Sequence, residues 1–203
     1  LGAMLAFGLL LNLIRIPLDW KIFLAVSLIP ILISAFKSLK ASPFSLERLK
    51  GIKVNAYAII VLILFSVTLY MYAKGAFSYP YLEDDDSWSH AMGVKYVSIQ
   101  KTVFDTSSNV LHYIDPYPPL YDMLIGILHQ TNGSVYWSLK FFNALIISLS
   151  IIFFYFFVKI FTNSPKKALF SSFALFSVPA FLSHFIWALS LAVPLYFAAF
   201  YAI

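Results

Sequence analysis

Seven of the nine acidic residues lie between Lys74 and Asp122, and four of them stand in a row, Glu83-Asp84-Asp85-Asp86, followed by Ser87-Trp88-Ser89-His90. Carboxylates packed this closely repel one another and cannot enter an apolar core without partners. Such a run suits a cation, a proton to be abstracted, or a hydroxylated substrate. At helical spacing Asp86 and His90, four apart, share one face. A carboxylate and an imidazole so placed can work as a base and its partner, or share a divalent cation (Mg or Mn) with Asp84 as a further oxygen ligand. Asp85 stands beside Asp86 as a second candidate base. The competing reading is a hydrated loop beside a membrane, with no chemistry of its own.

The elements that must position these residues are membrane helices. The chain is 61% hydrophobic and 11% charged, against about 25% charged in an average soluble domain. Cysteine is absent, which excludes disulfides, thiolate metal sites and cysteine nucleophiles. Crossing a bilayer core takes roughly 20 apolar helical residues. Apolar runs at 1–14, 22–36, 56–73, 139–161, 168–182 and 189–203 predict an all-α polytopic bundle of about six spans. The first and last run to the ends of the chain, which reads as a piece of a longer polytopic protein. Pro179 and Pro194 are expected to kink the fifth and sixth spans.

Orientation follows from the loops. Residues 37–53 hold Lys37, Lys40, Arg48, Lys50 and Lys53 against Glu47, and the turn after the fourth span holds Lys159, Lys166 and Lys167 with no acid. Basic loops face the cytoplasm, and two spans separate these, as sharing a side requires. The net charge of +5 is therefore a topology signal, with no nucleic-acid partner implied. The acidic segment 74–135 then lies outside the cell membrane. Residues 1–54 read as two spans with a basic cytoplasmic loop, and 55–203 as a core that includes the acidic outer loop.

Within that outer loop, residues 85–103 are expected to form a helix opening at the acid run, where the helix dipole favours Asp85 and Asp86. Residues 106–109 form a polar break, and Asp115-Pro116-Tyr117-Pro118-Pro119 a stiff extended stretch. Residues 120–129 follow, with Leu120, Met123, Leu124, Ile127 and Leu128 on one face. Too short to span, this segment reads as an interfacial amphipathic helix. His184, beside the outer end of the fifth span, faces the same side as the acids, whereas His112 and His129 read as ordinary loop and helix-end residues. Lys95 and Lys101 are placed either to meet a phosphate or on a solvated helix face. Trp88 suits both a sugar stacking platform and an interfacial anchor.

Asp86-Ser87-Trp88-Ser89-His90 resembles the first outer-loop motif of oligosaccharyltransferase catalytic subunits. Tyr117-Pro118-Pro119-Leu120-Tyr121-Asp122 resembles a segment later in that loop, and equally the Tyr-Pro-Pro-Leu stretch of protein mannosyltransferases and aminoarabinose-type lipid A glycosyltransferases. All are GT-C membrane glycosyltransferases, and the resemblance covers roughly residues 56–203. It implies transfer of a sugar or oligosaccharide from a polyprenyl-phosphate (dolichyl-phosphate-like) donor to a protein, lipid or glycan acceptor on the outer face. It also implies an acid acting on the acceptor, first Asp86 and then Asp85, and in the oligosaccharyltransferases a divalent metal. Tyr117 and Tyr121 would shape the substrate cavity, with Trp88, His184 and Lys95 as further substrate contacts. Lys140 and His184 are the nearest candidates for a phosphate clamp. The chain departs from that pattern in carrying two further spans upstream.

The alternative class is a non-enzymatic polytopic protein, a transporter or assembly subunit whose acidic loop draws cations or a partner. An ion-coupled transporter places ionisable groups within its spans, and here only Lys140 and Lys159 approach that position, near span ends.

Overall fold

A computed structural model describes residues 2–41, 55–104, 114, 117–178 and 185–202. Among them the regular structure is helical throughout. The elements are α1 (Gly2–Leu13), α2 (Trp20–Ala41), α3 (Ala56–Ser78), α4 (Asp85–Gln100), α5 (Leu120–Asn132), α6 (Val135–Thr162), α7 (Pro165–Phe176) and α8 (Leu189–Ala202). The basic residues Arg48, Lys50 and Lys53, the polar break at 106–109, and His112, Pro179 and His184 lie outside the described residues.

Three helices are long and apolar enough to cross a membrane: Trp20–Ser38 within α2, and the whole of α3 and α6. α6 has 28 residues and so extends about 42 Å, more than the roughly 30 Å hydrocarbon thickness. The runs expected as the first, fifth and sixth spans give shorter helices of 12, 12 and 14 residues in α1, α7 and α8. Each reaches about 18–21 Å. The chain is thus a helical membrane protein with three span-length helices among the described residues.

Local chemistry sets the boundaries. Asn55 caps α3 by accepting from the Tyr57 amide at 2.9 Å. Gly133, at φ 70°, ends α5 in the left-handed region that favours glycine, and Ser134 caps α6 one residue later. Asn163 closes α6 in the same region, Ser164 caps α7 and Pro165 opens it, where a missing N–H is harmless.

α6 is the central post, packing against α3, α7 and α8, while α4 and α5 form a close pair over its N-terminal end. α1 and α2 lean on α5. Their connection is tied to the end of α4: the Leu18 amide donates to Lys101 O at 2.7 Å, and Asn12 Nδ2 donates to Ile16 O and Lys101 O. Asn12 Oδ1 in turn accepts from Thr102 Oγ1 and the Val103 amide. Gln130 of α5 closes the arrangement by donating to Leu18 O at 2.7 Å and accepting from the Trp20 amide at 3.0 Å. The α1–α2 turn therefore shares a side with α4 and α5.

Candidate active site at the α4–α5 interface

The acid run opens α4 as its sequence implies. Asp84 is the N-cap, its Oδ1 accepting from the Ser87 amide at 2.7 Å, and Asp85 and Asp86 fill the first turn. All three carboxylates sit where the helix's unpaired N–H groups and dipole favour negative charge. Asp85 is exposed and Asp86 half-buried. α4 ends at Gln100, earlier than residue 103, with Lys101 in the left-handed region at φ 56°.

One turn beyond Asp86 the helix turns inward. Ser87, His90, Ala91, Gly93, Val94 and Val97 are buried, a helical stripe packed on α5. Two glycines permit the close approach. A Cβ on Gly93 would lie 2.1 Å from Asp122 Oδ2, and one on Gly126 would lie 2.7 Å from Val97 Cβ and 3.1 Å from Val94 O.

In the space Gly93 leaves, His90 Nδ1 meets Asp122 Oδ1 at 2.6 Å, with His90 2% and Asp122 1% exposed. The Tyr121 ring meets the imidazole edge-on at 4.8 Å. Burial pushes Asp122 up to about 6, against the opposing pull of its hydrogen bond to His90 and of the imidazole's charge. Burial also pushes the Tyr121 hydroxyl well up, reinforced by the neighbouring Asp122 charge. Tyr121 Oη and Asp122 Oδ2 have no hydrogen-bond partner among the described residues. With Asp122 ionised and the imidazole neutral, His90 donates from Nδ1 and the ring's lone pair lies on Nε2.

No family model, curated protein or solved structure matches this chain.

Of the residues singled out from the sequence, His90 and Tyr121 come together, joined by Asp122. Trp88 is exposed and packs edge-on against Tyr136 of α6, ring centroids 5.9 Å apart. Tyr117 is exposed, and so is Lys95, whose charge acts on His129 near the far end of α5. His184 lies outside the described residues. Lys140 is 4% exposed; its Nζ donates to Tyr79 O at 2.5 Å and faces the Phe77 ring at 5.8 Å.

As a metal centre the set fits poorly. Asp84 caps α4 through Oδ1, and His90, with Nδ1 turned to Asp122, offers one ring nitrogen, Nε2. Among the described residues no three His, Cys, Asp or Glu side chains stand close enough to hold an ion. Hard divalent ions take about six oxygen ligands, more than these side chains bring together.

Asp122 is the residue that sequence reasoning passed over. It stood off the apolar face assigned to 120–129, but α5 is buried nearly all round, with Tyr121, Asp122, Ile125, Gly126 and His129 enclosed as well as Met123 and Ile127. The readable signal was the glycine pair: Gly93 three after His90, and Gly126 four after Asp122.

Proposed function

We propose that this chain is a GT-C-like membrane glycosyltransferase, moving a sugar or oligosaccharide from a polyprenyl-phosphate donor to an acceptor on the outer face of the cell membrane. One observation carries the reading. The two stretches that resemble this class, 86–90 and 117–122, are 32 residues apart at His90 and Asp122, yet they meet in a buried contact of 2.6 Å. A loop needing only hydration has no use for that contact, since burying an imidazole and a carboxylate costs free energy unless each satisfies the other.

In the proposed reaction Asp86 takes the proton from the acceptor nucleophile, with Asp85 beside it. The nucleophile forms its bond to the anomeric carbon as the bond from that carbon to phosphate oxygen breaks, and the polyprenyl phosphate leaves with the electron pair. His90, one turn along from Asp86 and oriented by Asp122, is a positioning residue that keeps the start of α4 fixed on α5. The reading takes α2, α3 and α6 as spans and α1, α7 and α8 as completing a bundle of about six. The acidic segment 74–135 lies outside and 37–53 inside.

The test is turnover of polyprenyl-phosphate sugars by the full chain in detergent, with and without Mg or Mn, for wild type, Asp86→Asn and Asp85→Asn. A loss of roughly 10²-fold in Asp86→Asn, with the fold intact, is expected for a lost general base. The second reading is an assembly subunit, favoured by the filled α4–α5 interface, where His90 is only 2% exposed. Wild-type protein inert toward every donor would put that reading first.

A further inference from the structure

A second polar cluster lies away from the His90–Asp122 contact, where α3 and α6 meet the turn leading into α4. Tyr72, Glu83, Ser87, Lys140 and Asn143 line a small cavity there, together with apolar side chains that include Ala76. Tyr72, Ser87, Lys140 and Asn143 are all nine-tenths or more buried. Asn143 Nδ2 donates to Tyr72 Oη at 3.1 Å and to Phe185 O at 2.9 Å. The Phe185 carbonyl can only accept, so this fixes which way round the amide sits. Asn143 Oδ1, fully buried, has no hydrogen-bond partner among the described residues. A buried acceptor left in that state is costly, so it calls for a donor.

The charges around it narrow what that donor is. The Glu83 carboxylate acts on both Tyr72 and Lys140. A phosphate or carboxylate would meet Glu83 and the amide oxygen, both acceptors. A metal ion would meet the Lys140 ammonium. A neutral hydroxyl suits all of them, donating to Asn143 Oδ1 or Glu83 and accepting from Lys140. The cavity's free volume, ≈ 10 Å³, is about what one water-sized group needs.

We propose that this cavity is a recognition subsite for one hydroxyl group of a sugar. Glu83 and Ser87 belong to the turn that carries Asp86, so a sugar held there lies against the acid run. The choice of a sugar over another hydroxyl compound rests on the transferase reading.

The experiment is saturation-transfer NMR on the full chain in detergent. The probes are methyl α-glucoside, α-mannoside and α-galactoside, each compared with its monodeoxy analogues. Wild type is expected to bind at least one parent glycoside and to lose about tenfold in affinity for one monodeoxy analogue of it. Asn143→Leu removes the acceptor and should no longer distinguish that pair. Ala76→Val narrows the cavity without removing a side-chain hydrogen bond and should weaken the parent glycoside about tenfold, which guards against misfolding of Asn143→Leu. If wild type binds none of the glycosides, or Ala76→Val and Asn143→Leu bind as wild type does, the cavity holds only water and the proposal is overturned. Asn143-dependent binding without turnover of any donor would remove the transferase reading and leave the subsite. Turnover with KM unmoved in Ala76→Val would do the reverse.

Discussion

Replacing Gly93 by alanine should be among the most damaging single-methyl changes in the chain. The added Cβ would stand 2.1 Å from Asp122 Oδ2, 2.9 Å from its Cγ and 3.4 Å from its Cβ. Turning the carboxylate about its last bond moves the oxygens but leaves Cγ too close, so the side chain must swing away or the helices must part. Either move breaks the 2.6 Å bond to His90 and leaves buried polar groups unpaired. Disrupting a buried pair in this way costs about 3–5 kcal/mol. Gly75 supplies the control, because a Cβ there meets nothing within 4 Å and alanine should stabilise α3 by about 0.5–1 kcal/mol. The assay is reversible denaturation of the purified protein in detergent, run as a double-mutant cycle with Asp122→Ala. Removing the carboxylate removes the obstruction, so the two changes should couple by roughly 2 kcal/mol or more. If Gly93→Ala matched Gly75→Ala within about 0.5 kcal/mol, or the two changes simply added, the close α4–α5 approach would be wrong.

Asp122 also gives a pH dependence with a definite sign. Its folded value of about 6 lies above the ordinary 3.8, so the folded chain keeps a proton that the unfolded chain releases. The stability this group contributes is complete below about pH 4 and is lost as pH rises toward about 6. Melting temperatures across that window should fall in wild type and flatten in Asp122→Asn; equal slopes would contradict the assignment. Asp84→Ala should cost about 1 kcal/mol as a lost N-cap, while Asp85→Ala, exposed and uncapping nothing, should stay within about 0.5 kcal/mol, both read by denaturant midpoint. At the α1–α2 turn, Asn12→Ala removes the four hydrogen bonds of a side chain only 4% exposed and should cost about 2–3 kcal/mol. Asp19→Asn, which loses a Lys101 ion pair 2.5 Å long but partly exposed, should cost under about 1 kcal/mol. The reverse ranking would mean the turn is held by charge.

Local chemistry was legible where a residue's role is decided by its neighbours in sequence. The acid run opens a helix because Asp84 can cap it and Asp85 and Asp86 favour its dipole, all of which is readable within four positions. α2, α3 and α6 announced themselves by apolar length. The runs at 1–14, 168–182 and 189–203 were as visible, but the length of their helices was not, because an apolar run marks surface to be buried, by lipid or by protein, without saying which. The same ambiguity hid Asp122. An acid in the first turn of a short amphipathic helix has a sufficient local explanation in the dipole, so nothing nearby asked for a partner 32 residues back. Only the backbone separation of α4 and α5 turns it into a requirement. At the distance set by Gly93 and Gly126, the carboxylate has no route to solvent and His90 is the group left to meet it. A glycine inside a polar helix, three residues past a histidine, carries no packing of its own and weakens the helix. Its presence is therefore better explained by what approaches it than by the helix it interrupts. In the second cluster Asn143 stands in the same position. Its buried amide oxygen, unpaired among the described residues, is explained by what enters the cavity more readily than by the packing of α6.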